Sequence, residues 1–139
     1  MRKQFTLAKN ERLKSRKQIE QLFDTGKSIV VSSFRVYYMV NGELSRPKEE
    51  GPLQFGVGVS AKNFKRAVDR NRIKRLVREA WRLQKNELKE KIKTAGKQLN
   101  VFFIYTGKEL PGFTTVKDKV AVALKRLADK TDENISSHS

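Results

Sequence analysis

The sequence predicts a single-domain α+β protein, a two-layer sandwich in which helices pack on a small central mixed β-sheet. Segments of helical and strand periodicity alternate along the 139 residues, without an internal repeat or an interdomain linker. Hydrophobic residues make up 37% of the chain, which suits one sizeable core. The predicted order is α-β-β-α-β-α, with a structured core over about 12–129, a basic arm over 1–11 and a disordered polar tail over 130–139.

The first predicted helix spans about 15–25. Ser15 followed by Gln18 has the form of a capping box, and apolar residues then recur at helical spacing. Gly26 suits the position just after a helix end, where a left-handed residue is common. This helix should therefore be short and amphipathic.

Two strands follow, separated by a loop. Residues 34–40 are β-branched or aromatic, and alternation puts Phe34, with every second residue after it, on the core face. Residues 41–53 hold two prolines, two glycines and mixed charge, which indicates an exposed loop. Residues 55–59 alternate large side chains with glycine, so one face of that strand is bare and should meet a close neighbour.

The second half supplies the longest helical pattern, over 68–93, then a buried strand over 99–105 and a last helix. Thr115 can cap that helix, and five apolar residues after it share one face. From Lys130 the sequence turns polar, so we expect the helix to fray there.

Charge indicates the partner. The chain carries 31 Lys and Arg against 15 Asp and Glu, a net charge of +16, and the windows 1–17 and 62–82 hold +6 and +7 of it. Such a surface favours a phosphate polymer over other anions. A membrane is the competing partner, but no apolar run approaches the ~20 residues of a spanning helix, and no signal peptide is visible. We therefore expect a cytoplasmic protein with no membrane partner.

The composition argues against a self-sufficient enzyme. The chain has no cysteine, and its single histidine, His138, lies in the polar tail. The acids are scattered along the sequence, whereas a two-metal nuclease needs several carboxylates in one cleft. We therefore expect no catalytic residue and no metal site in this protein.

The helix over 68–82 has two opposite faces. Ile73, Leu76, Val77 and Ala80 form an apolar stripe, and a second stripe is basic, with Arg70, Lys74, Arg75, Arg78 and Arg82. A merely solvated face normally mixes both signs, since neighbouring cations repel one another. A helix-turn-helix that reads DNA would need a partner helix, and predicted strands flank this one. The pattern favours contact with nucleic acid.

The run from Ala67 to Ala80, AVDRNRIKRLVREA, closely resembles the signature of the bacterial ribonuclease P protein family. The resemblance extends from about Arg12 to Leu127 and includes the Arg12-Leu13-Lys14 entry and the strand over 56–60. It implies a left-handed crossover from strand through signature helix to strand. It also implies a non-catalytic protein subunit of ribonuclease P, which promotes cleavage at the 5′ end of precursor tRNA.

In that family the catalytic subunit is RNA, and the Mg²⁺ is held mainly by that RNA. The resemblance therefore implies two partners, the catalytic RNA and the 5′ leader of precursor tRNA, with no cofactor bound by the protein alone and no protein partner required. The residues that it assigns to the catalytic RNA are Lys62, Arg66, Arg70, Asn71, Arg72, Lys74, Arg75 and Arg78. Those that it assigns to a leader cleft between the first helix and the sheet are Arg12, Lys14, Ile19, Phe23, Arg35 and Tyr37.

Two details of the cleft stay open at this stage. A helical phenylalanine such as Phe23 is more often part of a core than of a cleft. Ile19 stands where the family frequently has an aromatic residue, which would weaken stacking on the leader.

The alternative function is that of a ribosomal or chaperone-type RNA-binding protein that serves no enzyme.

Overall fold

The structure is a computed structural model, and it describes residues 11–13, 15–41 and 51–136. The arm over 1–10, Lys14 and the loop over 42–50 lie outside the described residues. In chain order the elements are α1 (Arg16–Thr25), β1 (Lys27–Val31), β2 (Phe34–Asn41), β3 (Leu53–Val59), α2 (Ala67–Gln84), α3 (Asn86–Thr94), β4 (Gln98–Tyr105) and α4 (Phe113–Ser136). The predicted α+β class is confirmed, and the predicted order lacked two elements, β1 and α3.

The strands form one mixed sheet in the order β1-β2-β4-β3. β1 pairs with β2 and β2 with β4 in antiparallel fashion, whereas β3 and β4 are parallel. Parallel neighbours need a crossover connection, and α2 with α3 supplies it. The predicted strand–helix–strand unit is thus confirmed, and its left-handed sense stays a prediction.

β1 joins β2 through a turn that the sequence does not predict. Val31 pairs with Phe34, so only Ser32 and Ser33 form the turn. Ser32 has a φ of 53°, where hairpins usually carry glycine or asparagine. The carbonyl of Ser33 accepts a hydrogen bond of 2.8 Å from the backbone N–H of Thr106. A partner distant in sequence therefore helps to hold a turn that lacks the usual residues.

The main core lies between one face of the sheet and the helices α2, α3 and α4. Trp81 of α2 is buried and stacks on Phe55 of β3, with ring centroids 4.5 Å apart. The predicted apolar stripe of α2 is buried at Ile73, Val77 and Ala80. The predicted apolar face of α4 is buried in full, at Val116, Val120, Ala123, Leu124 and Leu127.

The helical pattern over 68–93 is two helices, where one was predicted. Lys85 separates them and serves as C-cap of α2 and N-cap of α3. Neither glycine nor proline marks the break. The side chain of Lys85 is buried instead, with its Nζ 3.0 Å from a carboxylate oxygen of Glu11. The interruption coincides with a contact to a residue 74 positions earlier, which local periodicity cannot reveal.

Both ends of α4 differ from the prediction. The helix begins at Phe113, where the carbonyl of Gly112 accepts from the N–H of Val116, so Thr115 is not its cap. The predicted disordered tail over 130–139 is wrong for residues 130–136, which continue the helix. Thr131 is buried, and its hydroxyl donates to the carbonyl of Leu127. No helix among the described residues is long and apolar enough to cross a bilayer.

α1 forms as predicted, with one difference at its end. The hydroxyl of Ser15 accepts a hydrogen bond of 3.3 Å from the backbone N–H of Gln18. Gly26 is extended, with φ −75° and ψ 172°, where a left-handed residue was expected. A β-carbon there would lie 2.5 Å from the carbonyl oxygen of Leu22. Glycine is needed at this position because the chain passes close to Leu22 in α1 and to the backbone of Tyr38 in β2.

Candidate nucleic-acid interface

A groove of about 1030 Å³ opens at the β3 edge of the sheet, between α2 and the segment that precedes α1. Arg12 and Leu13 precede α1 and form one wall, together with Ile19 of α1. A row of α2 side chains forms the other wall, and Gly56 with Phe102 lies in the floor. The groove therefore brings residues of the signature helix together with two residues that the sequence analysis predicted for a leader cleft, Arg12 and Ile19.

Two glycines of β3 make the floor flat. Gly56 pairs with Phe102 of β4 and Gly58 with Ile104, so both glycines share one face with the Phe102 ring. A β-carbon on Gly56 would lie 2.7 Å from the Phe102 ring, and one on Gly58 would lie 3.2 Å from it. The close neighbour predicted for this bare strand face is therefore an aromatic ring.

Three aromatic rings meet on this face. The ring of Phe23 lies 4.8 Å from that of Tyr37 and 5.3 Å from that of Phe102, measured between centroids. Phe23 is 41% exposed, which places it outside the core, while Tyr37 and Phe102 are half-buried. Phe23 is thus not a core residue, and its role in the leader cleft stays a prediction. Phe102 also belongs to this group, although the sequence analysis had placed it in a buried strand. We call Phe23, Tyr37 and Phe102 the aromatic trio.

The remaining predicted cleft residues lie around the trio. The backbone of Arg12 forms a parallel bridge with Phe55, and Ile19 is half-buried in the groove wall. Arg35 is exposed and shares a face of β2 with Tyr37. The structure brings Arg12 and Ile19 into one groove, and Arg35 onto the neighbouring strand. Lys14 lies outside the described residues.

The predicted RNA contacts of α2 divide into two sets. Asn71, Arg75 and Arg78 line the groove, at spacings of four and three residues that place them on one side of the helix. Lys62, Arg66 and Arg72 are exposed and Lys74 half-buried, and all four lie outside the groove lining. The basic face of α2 thus presents side chains both to the groove and to the solvent beyond it.

Arg70 makes hydrogen bonds within the fold. Its Nη1 donates to the carbonyl of Phe64 at 2.7 Å and to that of Lys65 at 2.8 Å. These bonds hold the loop that leads from β3 into α2, whose N-cap Arg66 makes no side-chain capping bond. These hydrogen bonds were not predicted from the sequence, and the predicted RNA contact of Arg70 stays a prediction.

The groove also contains an ion pair that was not predicted from the sequence. The guanidinium of Arg82 donates to both carboxylate oxygens of Glu79, at 3.2 and 2.5 Å. Both residues line the groove, so one cation of the predicted basic stripe is partly neutralised. The spacing of three residues on a helix could have signalled this pair.

Acidic and metal-ligating side chains do not cluster in the described part of the chain. No group of three or more His, Cys, Asp or Glu side chains lies together there. The site is built for holding a polyanion, with guanidinium groups and aromatic rings side by side.

Comparison with known proteins identifies the family. The family model of ribonuclease P matches residues 7–128. The ribonuclease P protein component of Porphyromonas gingivalis is 40% identical over 124 residues, which cover 89% of this chain and 88% of that protein. The one from Chlorobium phaeobacteroides is 32% identical and covers 84% of each. The chain belongs to the ribonuclease P protein family. This confirms the predicted function at the family level, a role in RNA binding and tRNA processing.

Solved structures of ribonuclease P proteins share the fold. The protein from Thermotoga maritima is 30% identical, with a TM-score of 0.61 over 84% of this chain and 96% of that one. The protein from Staphylococcus aureus, at 22% identity and a TM-score of 0.63, supports the fold alone. The arrangement of four helices and a mixed sheet is thus that of a ribonuclease P protein.

The ribonuclease P signature, residues 67–80, occupies the first fourteen residues of α2. Its apolar members dock α2 on the sheet, and its Asn71, Arg75 and Arg78 line the groove. The signature therefore specifies how α2 is oriented as well as what it presents.

Proposed function

We propose that this chain is the non-catalytic protein subunit of ribonuclease P. In this proposal α2 binds the catalytic RNA, and the groove with its aromatic trio binds the 5′ leader of precursor tRNA. The catalytic RNA holds the Mg²⁺, and the protein alone binds no cofactor and needs no protein partner. We infer a cytoplasmic location from the same family role.

The observation that carries the proposal is the exposed ring of Phe23 packed against Tyr37 and Phe102 on a floor cleared by Gly56. An apolar ring that is 41% exposed beside a basic groove has an unfavourable free energy of hydration unless a ligand covers it. Unpaired bases suit this surface, because every base has a flat face that can stack whatever its sequence. Leaders vary in sequence, so stacking is the appropriate mode of recognition.

The cations beside the trio would supply the second component of affinity. Arg12 stands on one wall of the groove, and Arg75 with Arg78 stands on the other. A strand lying in the groove, over Phe102, would therefore have guanidinium groups on both sides of its backbone, and these groups can bind phosphates in a bidentate fashion. Lys62, Arg66 and Arg72 are exposed beyond the groove, where the larger catalytic RNA can reach them.

The chemistry would belong to the RNA. A phosphodiester cleavage needs a metal-activated water or a general base, and the described residues offer no cluster of metal ligands. What the protein's side chains contribute is positioning and charge. Two polyanions must approach closely, and cations on the protein replace part of the screening that Mg²⁺ otherwise provides.

The test is cleavage of a precursor tRNA by the cognate RNA over a Mg²⁺ titration, with and without nuclease-treated protein. We expect the protein alone to cut nothing and to stimulate the RNA most strongly at low Mg²⁺. A double variant, Arg75→Ala with Arg78→Ala, should lose most of the stimulation. A control with Lys117→Ala and Lys125→Ala removes the same charge from exposed positions of α4, and it should retain the stimulation.

Two outcomes would contradict the proposal. Robust cleavage by RNA-free protein would reveal an active site in this chain. Absence of stimulation at every Mg²⁺ concentration would leave a general RNA-binding protein, of the ribosomal or chaperone type, without a link to the enzyme.

A further inference from the structure

A buried ion cluster lies behind the groove. The carboxylate of Glu11 contacts the Nζ of Lys85 at 3.0 Å and that of Lys89 at 2.5 Å. The side chains of Glu11 and Lys85 are each 3% exposed. Charged groups are rarely this buried unless they are paired, since desolvation of an isolated charge is costly. Glu11 is therefore held in one place.

The cluster ties two elements together. Lys85 is the residue at which α2 ends and α3 begins, and Glu11 belongs to the segment that precedes α1. The pair thus joins the end of the signature helix to the N-terminal wall of the groove. Residues 1–17 hold seven basic residues and a single acidic one, Glu11. The buried ion cluster explains why an acidic residue stands in this basic segment.

The residues after Glu11 continue directly into the groove. Arg12 forms a parallel bridge with Phe55, and the backbone N–H of Leu13 donates to the Phe55 carbonyl at 2.8 Å. Leu13 is buried, and its carbonyl lies 3.4 Å from where a β-carbon on Gly56 would stand. Arg12 is the exposed residue between these two buried neighbours. The backbone of Arg12 is therefore fixed by the residue before it and by the residue after it.

We propose that Glu11 is a positioning residue for nucleic-acid binding. Anchored on Lys85 and Lys89, it fixes the backbone of Arg12 so that the guanidinium stands in the groove before the ligand arrives. Binding then avoids the entropy cost of ordering the backbone that carries this basic side chain. This inference rests on the proposed function, since it assigns Glu11 a role in holding the leader of precursor tRNA.

A purely structural role for Glu11 predicts something different. In that case removal of the carboxylate would lower stability and would weaken every RNA contact alike, with or without Arg12. If Glu11 acts through Arg12, its removal should matter only while Arg12 is present. A double-mutant cycle separates the two, because coupled residues are non-additive and independent ones are additive.

The experiment uses protein assembled with its catalytic RNA and measures affinity for precursor tRNA with its leader and for mature tRNA. The proteins are wild type, Glu11→Gln, Arg12→Ala and the double variant, with thermal unfolding followed for each. We expect Arg12→Ala to lower the affinity for the leader-bearing precursor by roughly fivefold, the factor for one hydrogen bond of average net strength. Glu11→Gln should cause most of the same loss, and the double variant no more than Arg12→Ala alone.

A matched control and a milder variant complete the design. Asp132→Asn removes a carboxylate from the ion pair between α4 and Lys91 of α3, which lies outside the groove lining, and it should leave leader affinity unchanged. Lys89 is 31% exposed, so Lys89→Met weakens the cluster without leaving Lys85 unpaired. Lys89→Met therefore replaces Glu11→Gln in the cycle if the latter fails to fold. It should lower leader affinity by a smaller factor, and it should have no effect when Arg12 is alanine.

Three results would overturn the inference. Additive losses from Glu11→Gln and Arg12→Ala, or an unchanged affinity in Glu11→Gln, would show that Glu11 does not act through Arg12, and the proposed function would stand. Equal affinity of the wild-type complex for precursor and mature tRNA would instead contradict the leader-binding function itself, and the role of Glu11 with it.

Discussion

The ring of Phe102 occupies the space beside Gly56 that a side chain would otherwise fill. A β-carbon on Gly56 would lie 2.7 Å from Cδ2 and 2.8 Å from Cε2 of that ring, well inside van der Waals contact. Because the Phe102 ring also meets that of Phe23 in an edge-to-face contact, a shift of Phe102 would disturb its neighbour. The bare face of β3 therefore sets the position of the aromatic trio.

Gly56→Ala should displace the trio. The new methyl group would force the Phe102 ring to shift, at a cost of about 1–3 kcal/mol of unfolding free energy, the usual range for overpacking. Leader affinity should fall with it. Gly58→Ala is the matched control, since its β-carbon would approach the same ring at 3.2 Å and needs only a small adjustment. Equal unfolding free energies for the two variants in urea would show that the close approach is not a constraint.

Tyr37→Ala should separate leader binding from assembly. Loss of one stacking partner should weaken binding of leader-bearing precursors by roughly 5- to 150-fold, equivalent to ~1–3 kcal/mol per base. Affinity for mature tRNA and for the catalytic RNA should be unchanged. Val30→Ala, at a 54% exposed position of β1, serves as the control. Equal losses for precursor and mature tRNA would contradict the assignment of Tyr37 to the leader.

Replacement by alanine should have different effects on stability at Arg75 and at Arg70. Arg75 is exposed in the groove, so Arg75→Ala should weaken RNA binding and leave thermal unfolding unchanged. Arg70 holds the carbonyls of Phe64 and Lys65, so Arg70→Ala should also destabilise the fold by about 1–3 kcal/mol. Calorimetry beside RNA-binding titrations checks both. A fully stable Arg70→Ala variant would show that these bonds contribute nothing to the fold.

Affinity for the catalytic RNA should depend steeply on salt. Each phosphate contact contributes about 0.7–0.9 log units of affinity per log unit of salt, through release of counterions. Arg75→Ala with Arg78→Ala should lower the slope by about two contacts, and Lys117→Ala with Lys125→Ala should not. A wild-type slope worth only one or two contacts would mean that the basic stripe is merely solvated.

Sequence periodicity was sufficient wherever a residue's environment follows from its neighbours. The core faces of α2 and α4 were predicted correctly because their apolar spacing matches the helical repeat. The same holds for the strand beginning at Phe34. The fold class and the family followed from these patterns and from the signature over 67–80.

The features that were missed depend on distant contacts. β1 turns into β2 through Ser32 and is held by Thr106, and the break at Lys85 coincides with its ion pair to Glu11. Phe102 lies in an apolar run in which one ring faces the groove, and only its register beside Gly56 distinguishes it from core residues. The polar composition after Lys130 suggested disorder, yet Thr131 is buried and α4 continues.

The most direct test of leader recognition compares precursor tRNA with a leaderless tRNA for binding to the catalytic RNA, with and without this protein. We predict that the RNA alone discriminates weakly, and that the protein raises affinity for the precursor while leaving the leaderless tRNA nearly unchanged. Removal of the trio's exposed ring by Phe23→Ala should abolish most of that difference. An equal increase for both tRNAs would contradict the account, because the protein would then act through general electrostatics alone.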